Sequence, residues 1–368
     1  MNSSILFSQK NEGLYARQIA FCAAFILPVG KFLETPSLLA GAAKDDVLIP
    51  AVLQFLTQSL VLLGVLYASS KSEKPLLTRL QKVLGKWSIV VYAFFALFYL
   101  FVAILPLLDL EKFVYAAFFD TAPTTFSFAF FFFLLAFVCA KGLKSIGRCA
   151  DLCLFLFLLP FLALIGMSFF EADLSRLLPF FGTSFKGSAL GFLKGTPHFC
   201  DAILLLPLIA NRKYKEGDGV KIMSGYWAGC IMCLLFFAVF FGVFSSLAPR
   251  EHYAFLKIAQ YFPALDVVGR VDLLFVYFLS IVLLFYTCLP LIYVNELTCK
   301  MFHVKQKAFS SAILALISFI FVLFMNKYYN AFYAVVGGIL VPVFLLVSYL
   351  LPLFCLLMPT KKEKTYAK

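Results

Sequence analysis

FILPVGKFLETPSLLAG, Phe25 to Gly41, sits inside a long apolar block yet carries two prolines, a lysine and a glutamate. Pro28 removes a backbone donor, Gly30 loosens the chain beside it, and Pro36 removes a second donor two turns later. Unpaired backbone groups survive in hydrocarbon only where protein, ions or a wet cavity satisfy them. The block therefore reads as a broken transmembrane helix with a polar interior. Lys31 and Glu34 are spaced to share a helix face and can pair with each other. Charges at membrane depth usually face a cavity or the bundle interior. The plainer alternative is a kinked helix with an internal ion pair and no ligand.

The whole chain supports a membrane setting. Hydrophobic residues make up 63% and charged residues 14%, with a mean hydropathy of +0.96, whereas soluble domains are roughly half apolar and a quarter charged. The apolar residues fall into blocks of about 20, the length a helix needs to span a bilayer, not the short alternating strands of an outer-membrane barrel. We expect about ten spans between Leu14 and Met358. The third is expected at Lys86 to Leu108, the fifth at Cys149 to Phe170 and the tenth at Ala331 to Met358.

The net charge of +12 is distributed by loop. Lysines and arginines gather at 71–82, 141–148, 212–221, 300–307 and 361–368, while Asp45, Asp46, Asp109, Glu111, Glu171 and Glu251 fall in the alternate connections. That asymmetry predicts both termini in the cytoplasm and no nucleic-acid partner. The first block is long and no small-residue cleavage site follows it, so it is expected to be retained. Trp87, Tyr226, Trp227, Tyr328, Tyr329 and Tyr333 fall near predicted span ends and read as interfacial anchors. The run Phe128 to Phe137 is bulky enough to face lipid.

The ten cysteines lie mostly in apolar runs and read as small buried side chains. With only His198, His252 and His303 in the chain, no metal, redox centre or cofactor is expected. No nucleophile motif or HExxH is present, so no enzyme activity is expected.

A second break stands halfway along. Gly195, Thr196 and Pro197 interrupt an apolar segment that also carries His198 and Asp201. Interrupted helices opening two halves of the chain are the mark of an inverted-repeat transporter, with the binding site where the half-helices meet. The expected fold is thus all-α integral membrane, a 5+5 inverted repeat with broken helices 1 and 6. It forms one multi-pass domain over 1–368, with a first repeat at about 14–170, a second at about 185–358 and a basic tail at 359–368.

Freed amides at a half-helix N-terminus hold a carboxylate, and carbonyls at the opposing ends hold an ammonium group. The natural ligand of such a site is a small zwitterion, an amino acid first. Candidate binding residues are Pro28, Val29, Gly30, Lys31 and Glu34 on the first break and Gly195, Thr196, Pro197, His198 and Asp201 on the second. Tyr99, with Tyr92 and Phe95, forms a candidate aromatic wall on the third span, or simple packing. Lys31 has three open roles: a fixed charge where related folds place sodium, a partner for a ligand carboxylate, or a structural partner of Glu34 or Asp201.

Four motifs carry a family resemblance: Pro36-Ser-Leu-Leu-Ala40; Lys144-Ser-Ile-Gly-Arg148-Cys-Ala-Asp151; Asp173-Leu-Ser-Arg-Leu-Leu-Pro179 with Phe192-Leu-Lys-Gly195; and Gly269-Arg-Val-Asp-Leu-Leu-Phe275. In order and spacing the chain resembles the endospore germination permeases, the B subunits of nutrient germinant receptors, within the amino acid-polyamine-organocation (APC) superfamily. The resemblance implies a LeuT/APC-like fold in the spore inner membrane. It also implies an A subunit and a C-subunit lipoprotein as partners, and a nutrient ligand, commonly an amino acid. The pairs Arg148 with Asp151 and Arg270 with Asp272 are then interfacial charge networks or partner contacts, or else helix-end pairs that fix orientation. A sensor of this kind competes with a proton- or sodium-coupled amino acid transporter and with an ion-conducting subunit.

Overall fold

A computed structural model describes residues 14–71, 85–118, 124–178, 182, 185–261, 272–302, 304, 306–354 and 356. Among the described residues, seven helices are long and apolar enough to cross a membrane, and nine if each of two bent pairs is one span. The first pair is α1 (Ala16–Phe21) with α2 (Thr35–Ala43). Then come α3 (Leu48–Ser70), α4 (Ser88–Phe118), α5 (Thr124–Lys141) and α6 (Leu143–Phe169). The sixth span joins α7 (Phe185–Gly195) to α8 (Asp201–Ala210). It is followed by α9 (Asp218–Phe244), the short, largely buried helix α10 (Ala254–Gln260), α11 (Asp272–Phe302) and α12 (Lys307–Asn326). The second bent pair is α13 (Tyr329–Val336) with a segment opening at α14 (Val341–Leu345). The expected ten blocks all have helical counterparts, although α5 is short for a span.

Two expectations need correction. The third span does not end at Leu108: α4 runs on to Phe118, so Asp109 and Glu111 are buried helix residues and not loop charges. The tenth span is broken, bent by 55° at Gly337-Gly338 and restarted before Pro342. Hydropathy misses this because glycine and proline barely lower an apolar average. In the run Phe128 to Phe137 only one face is exposed; Phe130, Phe133 and Phe137 lie outside while Phe128, Phe132 and Leu135 pack inward.

The first break bends more sharply than the last. From α1 the chain passes through a π-helical turn at Cys22–Ile26 and a 3-10 turn at Pro28–Lys31 before α2 restarts at a 62° angle. Pro28 cannot donate, so regular bonding fails there, and Pro36 fits the first turn of α2 where no donor is needed. The freed carbonyls are answered by protein. Ala254 and Phe255 at the start of α10 donate their N–H groups to Leu33 O and Phe32 O at 3.0 and 3.1 Å. A helix start has donors without intrahelical partners and a helix break has acceptors, so each cancels the other's deficit. The entry to α10 is held tightly, with Tyr253 at φ 57° and ψ 58°, a left-handed conformation unusual for a bulky residue.

The second break is answered from α3. Gln58 Oε1 accepts the Ala202 N–H at 3.0 Å, while Gln54 Nε2 donates to Phe192 O at 2.6 Å and Thr196 Oγ1 at 3.0 Å. Both glutamines are fully buried. Beyond them Pro207 deprives α8 of a donor, and Tyr99 and Tyr293 donate their hydroxyls to Ile203 O and Leu204 O at 2.8 Å each.

Candidate functional site: a charge pair between two broken helices

Lys31 Nζ lies 2.6 Å from Asp201 Oδ1, with the two side chains 1% and 3% exposed. Lys31 projects from the 3-10 turn of the first break, and Asp201 opens α8 just past the second. A carboxylate at a helix start is favoured by the positive end of its dipole. The ammonium group also approaches Leu27 O at 3.5 Å and stands 5.5 and 6.0 Å from the rings of Phe199 and Phe55. Ring faces attract a cation, so an aromatic collar compensates part of its lost hydration. Beside the pair is a cavity of about 10 Å³, room for a single water. Pro28, Phe55, Tyr226 and Gly229 contribute to its wall.

The expected site residues divide. Pro28, Lys31 and Asp201 converge on this cavity. Glu34 does not pair with Lys31. It turns toward the surface, where its Oε2 lies 2.9 Å from His252 Nδ1. The 3-10 turn and the bend after it carry the two side chains apart, so the spacing of a regular helix does not apply. Val29 is fully buried, and Gly30 faces Tyr286 so closely that any added Cβ would strike the ring. Gly195, Thr196 and Pro197 are buried in the second break, but His198 points elsewhere, its ring stacked on Tyr333 at 6.4 Å. Tyr99 supports the backbone of α8 instead of walling the cavity.

Other expectations also change. Asp151 pairs not with Arg148 but with Arg17 at 3.3 Å and Gln18 at 3.2 Å, which ties α6 to the start of α1, while Arg148 is exposed. Asp272 is buried at the opening of α11, and Arg270 lies outside the described residues, as does the tail 359–368. Of the expected anchors, Trp87 is exposed, but Tyr226 is buried and donates to Phe55 O at 3.4 Å. Tyr329 and Tyr333 turn inward and donate their hydroxyls to Asp109. Sequence reading passed over Gln54 and Gln58, although two amides one turn apart in an apolar span were a usable signal.

The family model described as spore germination protein matches residues 17–331, and both helix breaks fall inside that match. The chain belongs to the spore germination protein family. Among solved structures it is similar to variants of the Eremococcus coleocola manganese transporter, at 15% identity over 92% of this chain and 78% of that one, with a TM-score of 0.60. The same transporter in complex with an aromatic bis-isothiourea substituted compound gives a TM-score of 0.57 at the same identity and coverage. No curated protein matches the sequence. At that identity the likeness concerns the fold alone. It shows that this spore germination protein shares the LeuT-like helical architecture of that transporter.

Within that architecture the glutamines of α3 take a structural role. Gln58→Leu is expected to strip the Ala202 N–H of its acceptor and to destabilise the protein by about 1–3 kcal/mol. Thermal unfolding of the detergent-purified chain measures this, and an unchanged transition would show that α8 does not depend on the bond.

Proposed function

We propose that this spore germination protein is the nutrient-binding subunit of a germinant receptor in the spore inner membrane, with both termini cytoplasmic. Its ligand is a small zwitterion, an amino acid first. The reading rests on the buried Lys31–Asp201 pair that bridges the two breaks. A free amino acid carries the same two charges, so it can replace the internal pair group for group, carboxylate on Lys31 and ammonium on Asp201. Each protein charge then keeps a partner, which a desolvated charge requires.

Exchange separates the first break from α8, because the ligand needs more space than the one-water cavity provides. The ligand thus favours the opened arrangement by its differential affinity, and that bias passes to an A subunit and a C-subunit lipoprotein. A divalent cation fits less well. Lys31 already supplies the positive charge beside Asp201, and among the described residues no group of three or more His, Cys, Asp or Glu could hold a metal.

The same exchange followed by release on the far side would make the chain a secondary transporter, a reading favoured by the fold it shares with a solute carrier. Proteoliposomes carrying the chain separate the two: saturable binding of a radiolabelled amino acid without uptake supports the sensor, and uptake supports the transporter. Gly30→Leu tests the site itself. Its side chain would collide with Tyr286 and distort the turn that carries Lys31, so that the ligand carboxylate and ammonium no longer meet Lys31 and Asp201 together. Nutrient sensitivity is expected to fall about tenfold or more, the scale of an overpacked contact, with the protein still present in the membrane. Unchanged sensitivity would place the ligand elsewhere.

A further inference from the structure

Apart from the Lys31–Asp201 pair, a second group of buried charges lies around the entry to α10. Glu34, Asp109 and Glu111 are 8%, 3% and 2% exposed. Asp109 accepts from the hydroxyls of Tyr329 and Tyr333, and Glu111 Oε1 accepts from Asn326 Nδ2 at 3.0 Å. Tyr253 lies within electrostatic reach of all three carboxylates, and Asp109 within reach of Glu34. Two of the carboxylate oxygens, Glu34 Oε1 and Glu111 Oε2, are buried without a hydrogen-bond partner.

We infer that Glu34, Asp109 and Glu111 form a second binding site, for a proton, entered through His252. Charge balance carries the argument. Carboxylates held in an apolar interior must be neutralised, and tyrosine and asparagine donors stabilise them without supplying charge. Among the described residues the nearby cations are few: Lys112 lies 5.9 Å from the Tyr329 ring and within electrostatic reach of Glu111, and Lys257 is committed to Glu251 at 3.2 Å. Bound protons make up the deficit.

His252 is the port. Its side chain is 68% exposed while its Nδ1 touches Glu34 Oε2. Water protonates the imidazole at Nε2, the Nδ1 proton passes to Glu34 Oε2, and a neutral ring and a neutral carboxyl remain. Release runs the same steps backward. The hydrogen bond that His252 donates to Glu34 raises the His252 pKa above its ordinary 6.5. Glu34 also ends the bend that follows the turn of Lys31, so a change of charge there is felt at the first break.

The test is infrared difference spectroscopy of the purified full chain in nanodiscs, stepped in pH, following the C=O stretch of un-ionised carboxyl groups. A titrating band is expected, reduced by Glu34→Gln and by Asp109→Asn. His252→Gln removes no carboxyl but deprives Glu34 of its ionic partner, so the midpoint is expected to rise by about one pH unit or more. If a carboxyl variant fails to fold, His252→Gln on the exposed turn decides alone. The inference is overturned if no carboxyl band titrates or if His252→Gln leaves the midpoint in place. It is equally overturned if the midpoint follows added potassium or methylammonium chloride at fixed ionic strength, since the occupant would then be another cation.

Discussion

Lys31→Met alone is expected to remove most of the protein from the membrane, and Asp201→Leu alone to do the same. Each leaves one desolvated charge with no opposite charge at 2.6 Å, a loss of about 3–5 kcal/mol. That is a large fraction of the total stability of a folded chain. The paired replacement, Lys31→Met with Asp201→Leu, is expected to recover normal abundance, because apolar side chains of similar volume commonly pack as well as a buried ion pair. The recovered protein should still bind no amino acid, since the groups that would hold carboxylate and ammonium are gone. Membrane abundance and radiolabelled binding measure the two properties separately. A paired variant that binds normally would sink the proposed site while leaving the fold intact. Single variants that remain abundant would show that water reaches the pair.

The other large effect is expected where α1 crosses α9. Gly225 and Gly229 are four residues apart and face the first helix, a close-approach arrangement common in membrane proteins. A Cβ added at Gly225 would stand 2.7 Å from Ala20 Cα, and one at Gly229 would stand 2.6 Å from Ala23 O. These obstacles are backbone, so no rotamer change relieves them. Gly225→Leu and Gly229→Leu should each force the helices apart, at more than the roughly 1–3 kcal/mol of ordinary overpacking. Loss of the monodisperse peak on size exclusion is the readout. Gly166→Leu is the control, because nothing lies within 4 Å of its added Cβ, and it should behave as the parent protein. Equal behaviour of all three variants would mean that α1 and α9 are not in close contact.

Much of the fold was legible because solvation leaves a record in composition. Apolar blocks of membrane length and the breaks at Pro28 and Pro197 lie in the linear order of residues and need no tertiary information. The third break at Gly337-Gly338 was less legible, since its residues carry no charge to announce it. The site was legible only in part. Lys31 and Asp201 were singled out as intramembrane charges, yet they lie 170 positions apart in the chain. Local spacing instead favoured Lys31 with Glu34, and Arg148 with Asp151.

From the sequence alone came the membrane setting, the two interrupted helices and the set of charges that needed partners, because transfer from water is a property of each residue. The packed structure decided the partners: Asp201 for Lys31, where the sequence left Glu34 or Asp201 open, and, not foreseen, His252 for Glu34, Arg17 for Asp151, and the tyrosine hydroxyls for Asp109. Pairing depends on which helices touch and at what rotation. Helix breaks make that rotation unpredictable, because each one resets the angular register of every side chain after it.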